Sequence, residues 1–199
     1  MTAKTKQQLT DREAWLTLAC AMILDYLLEL IAGSGYARPP FRVSVGWPVG
    51  GRSGRRSIAQ CFARMMSSDG HNEIFVSPII DHVPMIMETL AHELIHAILD
   101  LEDGHRGRFA TLARAAGLIG PLTATSADDN LADILRGFSE SLGDYPHAKL
   151  DEAKRKRQTT RMEKFWCQDC GFIARTSGKW IDVVQGSACP ACETGELII

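Results

Sequence analysis

The stretch His92-Glu93-Leu94-Ile95-His96, inside the apolar run 85–101, decides how the rest of the chain is read. Its pattern is H-E-x-x-H. On a helix, residues four apart share a face about one turn apart. His92 and His96 then offer two imidazoles to a single metal ion, and the Glu93 carboxylate lies beside any water that ion holds. Zinc peptidases need this set: two neutral nitrogens for the cation and a carboxylate to take a proton from water. The plainer alternative is an amphipathic helix with its polar residues turned to solvent. The neighbours Leu90, Ala91, Leu94, Ile95, Ala97, Ile98 and Leu99 argue against it, because ionisable groups in so apolar a helix are costly unless paired or metal-bound.

Two histidines do not complete a catalytic zinc site, which uses three protein ligands and leaves one position for water. His105 lies nine residues after His96 and directly after Gly104. A helix ending at Asp103 with a tight turn at Gly104 brings His105 back toward the pair, so His105 is the expected third ligand. Glu88, Glu102 and Asp103 are the competing oxygen donors. In the resulting chemistry zinc polarises a scissile carbonyl, and Glu93 takes the water's proton and passes it to the leaving amine. Tyr145 and His147 are candidates for stabilising the oxyanion on side-chain chemistry alone.

Outward from the motif, Thr10-Asp11-Arg12-Glu13 reads as a capping box capped by Thr10. It opens a helix, apolar nearly all round, that ends at Gly33. Phe41, Val43 and Val45 alternate with Arg42 and Ser44 as a strand does. Residues 50–57 form a Gly/Arg loop in which Arg52, Arg55 and Arg56 suit a surface turn or a phosphate contact. It lacks the G-K-[ST] ending of a P-loop. Residues 58–66 read as a strand or a short helix. Asp69-Gly70 signals a hairpin turn, and residues 71–77 then form a strand. That strand is the expected edge for an extended peptide to pair with. A helix starting near Pro84 carries the motif to Gly104, another runs from Phe109 to Gly117, and an amphipathic one spans 131–142.

The C-terminal part changes character. Lys154, Arg155, Lys156, Arg157, Arg161 and Lys164 place six positive charges in eleven residues, which reads as a basic linker over 151–164. Cys167-x-x-Cys170 and Cys189-Pro190-Ala191-Cys192 follow. Two C-x-x-C pairs at this distance read as a four-cysteine structural zinc site, a zinc ribbon over 165–199. Ile173, Trp180, Ile181, Val183 and Val184 suit strands between them. A piece of about 35 residues buries too little core to fold alone, so metal is expected to fold it.

Composition bounds these readings. The chain has 199 residues, 45% hydrophobic and 23% charged, with a net charge of -2. That predicts a globular domain plus a small appendage and no bulk attraction to nucleic acid, so any such affinity comes from a local patch. Paired C-x-x-C cysteines point to metal in a reducing compartment, and Cys20 and Cys61 to buried free thiols. The apolar stretch 14–32 is interrupted by Asp25 and Glu29, which argues against a membrane span. No secretion signal is read after Lys4 and Lys6. A cytoplasmic location is expected, at the nucleoid if DNA is the partner.

In these residues the chain resembles the SprT-like family of zinc metalloproteases, to which the Spartan-type DNA–protein crosslink proteases belong. It looks closest to the small bacterial and phage members. The residues that carry the resemblance are His92-Glu93-Leu94-Ile95-His96, then Gly104-His105 and Phe109, the strand around 73–78, and the four-cysteine ribbon. The resemblance implies an α+β, zincin-like protease domain over 1–150. It implies His92, His96 and His105 as ligands of a catalytic zinc, Glu93 as base, and DNA binding alongside proteolysis. The family pattern usually reads His-Gly-x-x-Phe/Trp. Here it is His105-Arg106-Gly107-Arg108-Phe109, with the aromatic at its usual distance and the glycine displaced by one.

The expected activity is therefore a zinc metalloendopeptidase that cleaves DNA-bound or DNA-crosslinked proteins, with Lys154, Arg155, Lys156, Arg157 and Arg161 as DNA contacts. It would hold two zinc ions, one catalytic and one structural. The rival is a catalytically silent zinc- and nucleic-acid-binding regulator. A peptidase with no DNA partner is the third reading.

Overall fold

A computed structural model describes residues 9–49, 57–154 and 161–199. The architecture is mixed α+β, and the chain divides into two units, Met1–Glu152 and Ala153–Ile199. The Gly/Arg loop 50–56 and Arg155, Lys156 and Arg157 of the basic run lie outside the described residues. No helix among the described residues is long and apolar enough to cross a membrane.

In the first unit, helix α1 (Arg12–Leu30) is capped by Asp11, whose carboxylate accepts from the Ala14 amide at 2.8 Å. The cap is one residue later than the Thr10 box predicts. A carboxylate caps as well as a hydroxyl and also faces the positive end of the helix dipole. Glu13 is thereby freed to pair with Arg12 at 3.0 Å. Trp15, Leu16, Ala19, Cys20, Ile23, Leu24 and Leu27 form one fully buried stripe, while Leu18 and Leu30 stay exposed.

Strands β1 (Phe41–Val45), β2 (Ala59–Phe62) and β3 (Asn72–Val76) form one sheet in the order β1-β3-β2. β1 runs parallel to β3, with Val43 opposite Ile74. β2 runs antiparallel to β3, with Cys61 opposite Ile74. Alternation turns Val43, Ala59, Cys61, Ile74 and Val76 to the core. The stretch 71–77 is thus the central strand, not the edge expected for peptide pairing. Its inward positions Ile74 and Val76 are 1% and 0% exposed, and neighbours occupy both its sides. The edges belong to β1 and β2.

Helix α2 (Val83–Ile98) carries the motif, with Pro84 in its first turn. It touches α1, β2 and β3, as well as three elements downstream: α3 (Gly107–Ala115), β5 (Ser126–Ala127) and α4 (Asp129–Leu142). An element surrounded on so many sides must be apolar on most of its surface. That accounts for the run 85–101, in which each fully buried aliphatic side chain contributes about 1.5–3 kcal/mol. β5 pairs antiparallel with β4 (Leu118–Ile119).

α2 ends at Ile98, five residues before the expected stop at Asp103. The Leu101 amide donates to the His96 carbonyl at 3.0 Å, and the Asp100 amide to the Ala97 carbonyl at 3.2 Å. Together these make a Schellman stop. It places Asp100 and Leu101 at φ 47° and 60°, where glycine is usual. The Asp100 carboxylate holds the unusual backbone in place. It accepts from the Arg64 amide at 2.8 Å and from Asn72 Nδ2 at 3.1 Å, tying the helix end to the β2–β3 hairpin.

In the second unit, β6 (Met162–Cys167) pairs antiparallel with β7 (Ile173–Ser177) and with β8 (Leu197–Ile198). β6 therefore starts three residues before 165, inside the stretch read as linker. The run expected as strand instead folds as a helical turn, α5 (Ile181–Val184). Ile181 and Val184, three apart, both pack on the small core, while Val183 is 66% exposed. A strand would have turned Ile181 and Val183 to the same side. That core consists of Phe165, Cys167, Cys189 and Leu197.

Candidate metal centres

The α2 helix sets His92 and His96 on one face, and the Schellman stop reverses the chain within one turn. His105 returns to them: its Nε2 lies 3.1 Å from His92 Nε2 and 3.1 Å from His96 Nε2. The three nitrogens converge with no carboxylate among them. Of the competing oxygen donors, Glu102 and Asp103 are engaged by Arg108 at 2.8 and 2.7 Å. Glu88 lines a separate cavity between α2 and α4.

The displaced glycine of the His105 turn has a structural reason. Gly107 opens α3 at φ 50°, and a side chain there would press on the Asp103 carboxylate at 3.3 Å. That carboxylate accepts from the Arg108 amide at 2.8 Å and secures the first turn of α3. Phe109, fully buried, is thereby held under all three imidazoles. It stacks on His96 at 4.3 Å between centroids and meets His92 and His105 at 5.0 and 5.1 Å.

The electrostatics suit a cation. Burial pulls His92 down to about 4 and His96 to about 3, and lowers His105 as well, so all three are neutral at pH 7. Zinc–nitrogen bonds of about 2.0–2.1 Å in a tetrahedron put ligand atoms about 3.3 Å apart. The 3.1 Å separations match that spacing, so the residues fit a divalent cation. His92 Nδ1 lies 2.9 Å from Thr125 Oγ1, on the loop before β5.

Glu93 is 8% exposed, and burial lifts its carboxyl to about 7, opposed by the nearby backbone amide of Cys61. The ladder explains why that amide is free. The Ile58 carbonyl accepts from the Ser77 amide at 2.8 Å. Positions 58, 60 and 62 therefore face β3, while Ala59 and Cys61 turn their backbone groups to the open edge. An open cavity of about 350 Å³ lies there, lined by residues of β2 and its approach, by Thr89, His92 and Glu93 of α2, and by Thr123, Ala124 and Thr125. A second, of about 710 Å³, shares Thr123 in its lining and reaches His105.

Tyr145 and His147 sit elsewhere. Tyr145 packs on Trp15 at 5.0 Å, and His147 donates from Nε2 to the Pro78 carbonyl at 3.1 Å and faces Arg12 with Nδ1. They fasten residues 145–150 to α1 and to the strand end, and neither reaches the imidazole cluster.

The four cysteines of the second unit converge too. Cys167 and Cys192 sulfurs lie 3.7 Å apart, and those of Cys170 and Cys189 3.6 Å. A disulfide would need about 2.05 Å, whereas four sulfurs about 2.3 Å from one zinc lie about 3.8 Å apart. The two knuckles are alike. The Gly171 amide donates to the Cys167 carbonyl and the Glu193 amide to the Cys189 carbonyl, both at 2.9 Å. The position after each pair is left-handed, φ 73° at Gly171 and 61° at Glu193. Amides of Ala191 and Gly195 donate to Cys189 and Cys192 sulfurs at 3.4 Å. The Thr194 hydroxyl and the Gly195 amide pull Cys192 down to about 6, toward thiolate. Gly195 approaches so closely that a methyl group there would overlap the Cys167 sulfur.

Of the expected DNA contacts, Lys154 closes a short 3-10 turn and Arg161 is exposed. Sequence reasoning missed the Thr125 hydroxyl and the Cys61 amide. Neither carries a local signal, since Thr125 lies 33 residues from His92. Comparison with protein-family models, with curated proteins and with solved structures gave no match.

Proposed function

We propose that the chain is a zinc-dependent endopeptidase of the zincin type, similar to the SprT-like metalloproteases, acting on proteins bound or crosslinked to DNA. The observation that carries the peptidase reading is the meeting of three neutral imidazoles with one buried carboxylate beside an open strand edge. Zinc held by His92, His96 and His105 would supply Lewis acidity, lowering the pKa of water and polarising a carbonyl. The chain supplies the rest. An extended peptide adds along the outer edge of β2, where the Ala59 carbonyl now accepts from the Ser57 hydroxyl, and lies across the 350 Å³ cavity. Glu93, whose charged form the nearby Cys61 amide favours, takes a proton from water and later returns it to the leaving amine. Phe109 keeps the imidazoles from turning and closes their inner side to water.

DNA association rests on charge and on one face of the ribbon. The β6–β7 register sets Lys164 directly opposite Arg175 and Trp166 opposite Ile173. Like charges face to face weaken a sheet, and Trp166 is 41% exposed. Cations beside an open aromatic suit phosphates and stacked bases of a single strand. Arg161 and the run 154–157 add positive charge just before it.

The deciding experiment compares wild type with Glu93→Gln on a DNA-bound protein, with and without single-stranded DNA. Cleavage that needs metal and DNA, and that the substitution abolishes while zinc content persists, is the expected result. Equal cleavage by the variant removes Glu93 from its role. No cleavage by wild type under any DNA condition supports the silent zinc- and nucleic-acid-binding reading.

A further inference from the structure

The β4–β5 hairpin is short, two residues in each strand, yet it is secured far beyond what two-residue strands achieve. Arg114 of α3 donates from Nη1 to the Leu118 carbonyl at 2.7 Å and from Nη2 to the Gly120 carbonyl at 2.6 Å. The Ala124 amide donates to the Pro121 carbonyl at 2.8 Å, closing the turn. The Asp128 amide donates to the Gly117 carbonyl at 2.8 Å, and the Asp128 carboxylate caps α4, so the base of the hairpin is fixed as well. The side chain this brings to the imidazole cluster is Thr125, with Oγ1 at 2.9 Å from His92 Nδ1. Among the described residues, no such partner meets the Nδ1 of His96 or of His105.

We infer that Thr125, held in place by Arg114, is a positioning residue that fixes the ring orientation and tautomer of His92. The inference rests on the reading of the three imidazoles as a cation site, and not on peptidase activity. A neutral imidazole has one N–H. For Nε2 to face a cation with its lone pair, Nδ1 must carry the proton and needs an acceptor. The Thr125 hydroxyl oxygen, 2.9 Å away, supplies it. Without that acceptor, His92 is free to move its proton to Nε2, the atom that faces His105 at 3.1 Å. A hydrogen bond of this kind to a ligand imidazole governs metal affinity by about 10–100-fold.

The test is metal binding by the full chain, read by chelator competition with zinc and by the visible spectrum of the cobalt-substituted protein. Cobalt separates the sites, because only the four-cysteine cluster gives sulfur-to-metal charge-transfer bands. Thr125→Val, which keeps the shape and removes the acceptor, is expected to weaken the histidine site by about 10–100-fold and to perturb its d–d bands. The cysteine site and the far-UV circular dichroism of the metal-free chain stay as in wild type. Thr125→Ser restores the acceptor and is expected to restore affinity. Arg114→Met, which frees the hairpin, is expected to shift affinity in the same direction by less. Wild-type affinity in Thr125→Val, or a loss that Thr125→Ser fails to rescue, overturns the inference. A chain that shows this Thr125 dependence yet cleaves nothing overturns the peptidase reading alone.

Discussion

Glu93 stands under two opposing influences, burial that favours its neutral form and the Cys61 amide that favours its charge, with a balance at about 7. In the proposed peptidase Glu93 is the general base, which works only when ionised, so kcat/KM is expected to fall as pH drops through its pKa. A cation at the three imidazoles lowers that pKa further. The acid limb of the kcat/KM profile is therefore expected below pH 7, and a limb centred above it would exclude Glu93 as the base. Asp100 tells a similar story for stability. Burial raises its pKa, but the Arg64 amide, the Asn72 amide and the Arg64 guanidinium together hold it below the ordinary 3.8. A depressed carboxyl stabilises the fold above the unfolded value and loses that stabilisation as pH falls through the folded one. The advantage of wild type over Asp100→Asn in thermal unfolding is thus full at neutral pH and fades below about 4. Asp100→Ala leaves an uncompensated left-handed residue and is expected to cost about 2 kcal/mol by denaturant titration.

Element boundaries show where local reading reaches and where it stops. The spacing of His92 and His96 is a helical period, and Gly104 marks a turn, so both were legible in the sequence. The stop at Ile98 was not. Leu99 and Leu101 continue the apolar pattern, and the Schellman turn uses Asp100 where glycine would have announced it. The order β1-β3-β2 was equally hidden, because alternation reports which face a residue takes and never which strand lies beside it. Thr125 and Cys61 reach the site only through tertiary packing, by a single hydroxyl and a backbone amide. The ribbon was clearer, since C-x-x-C spacing is itself the geometry. There Glu193 occupies the left-handed position that glycine fills in the first knuckle. Glu193→Gly is expected to raise the thermal stability of the zinc-loaded ribbon by about 1 kcal/mol. Gly195→Ala is expected to abolish metal uptake at the cysteines, as cobalt charge-transfer bands would report.

At the scale of the whole molecule, two hydrophobic cores of unequal size stand beside two donor clusters of different chemistry. The large core does not need metal to exist, whereas four buried residues cannot fold the ribbon alone. With zinc at the four cysteines as proposed, a strong chelator is expected to make the chain beyond Ala153 sensitive to protease while the first unit keeps its helical signal. Fragments that instead arise evenly along the chain would contradict that division. Binding to single-stranded DNA, if it runs through Lys164 and Arg175, is expected to weaken steeply with salt, and charge reversal at both should flatten the log–log slope by about 1–2. The histidine cluster has one more consequence. His105 follows His96 and His92 by only nine and thirteen positions, on one helix–turn–helix segment. Closing so short a loop takes well under a microsecond, while pairing β1 with β3 must wait for distant parts of the chain. The donor set can thus assemble ahead of the sheet during refolding. Cobalt capture by the imidazoles in stopped flow should precede the final far-UV signal, making the metal an early participant in folding and not only a late passenger.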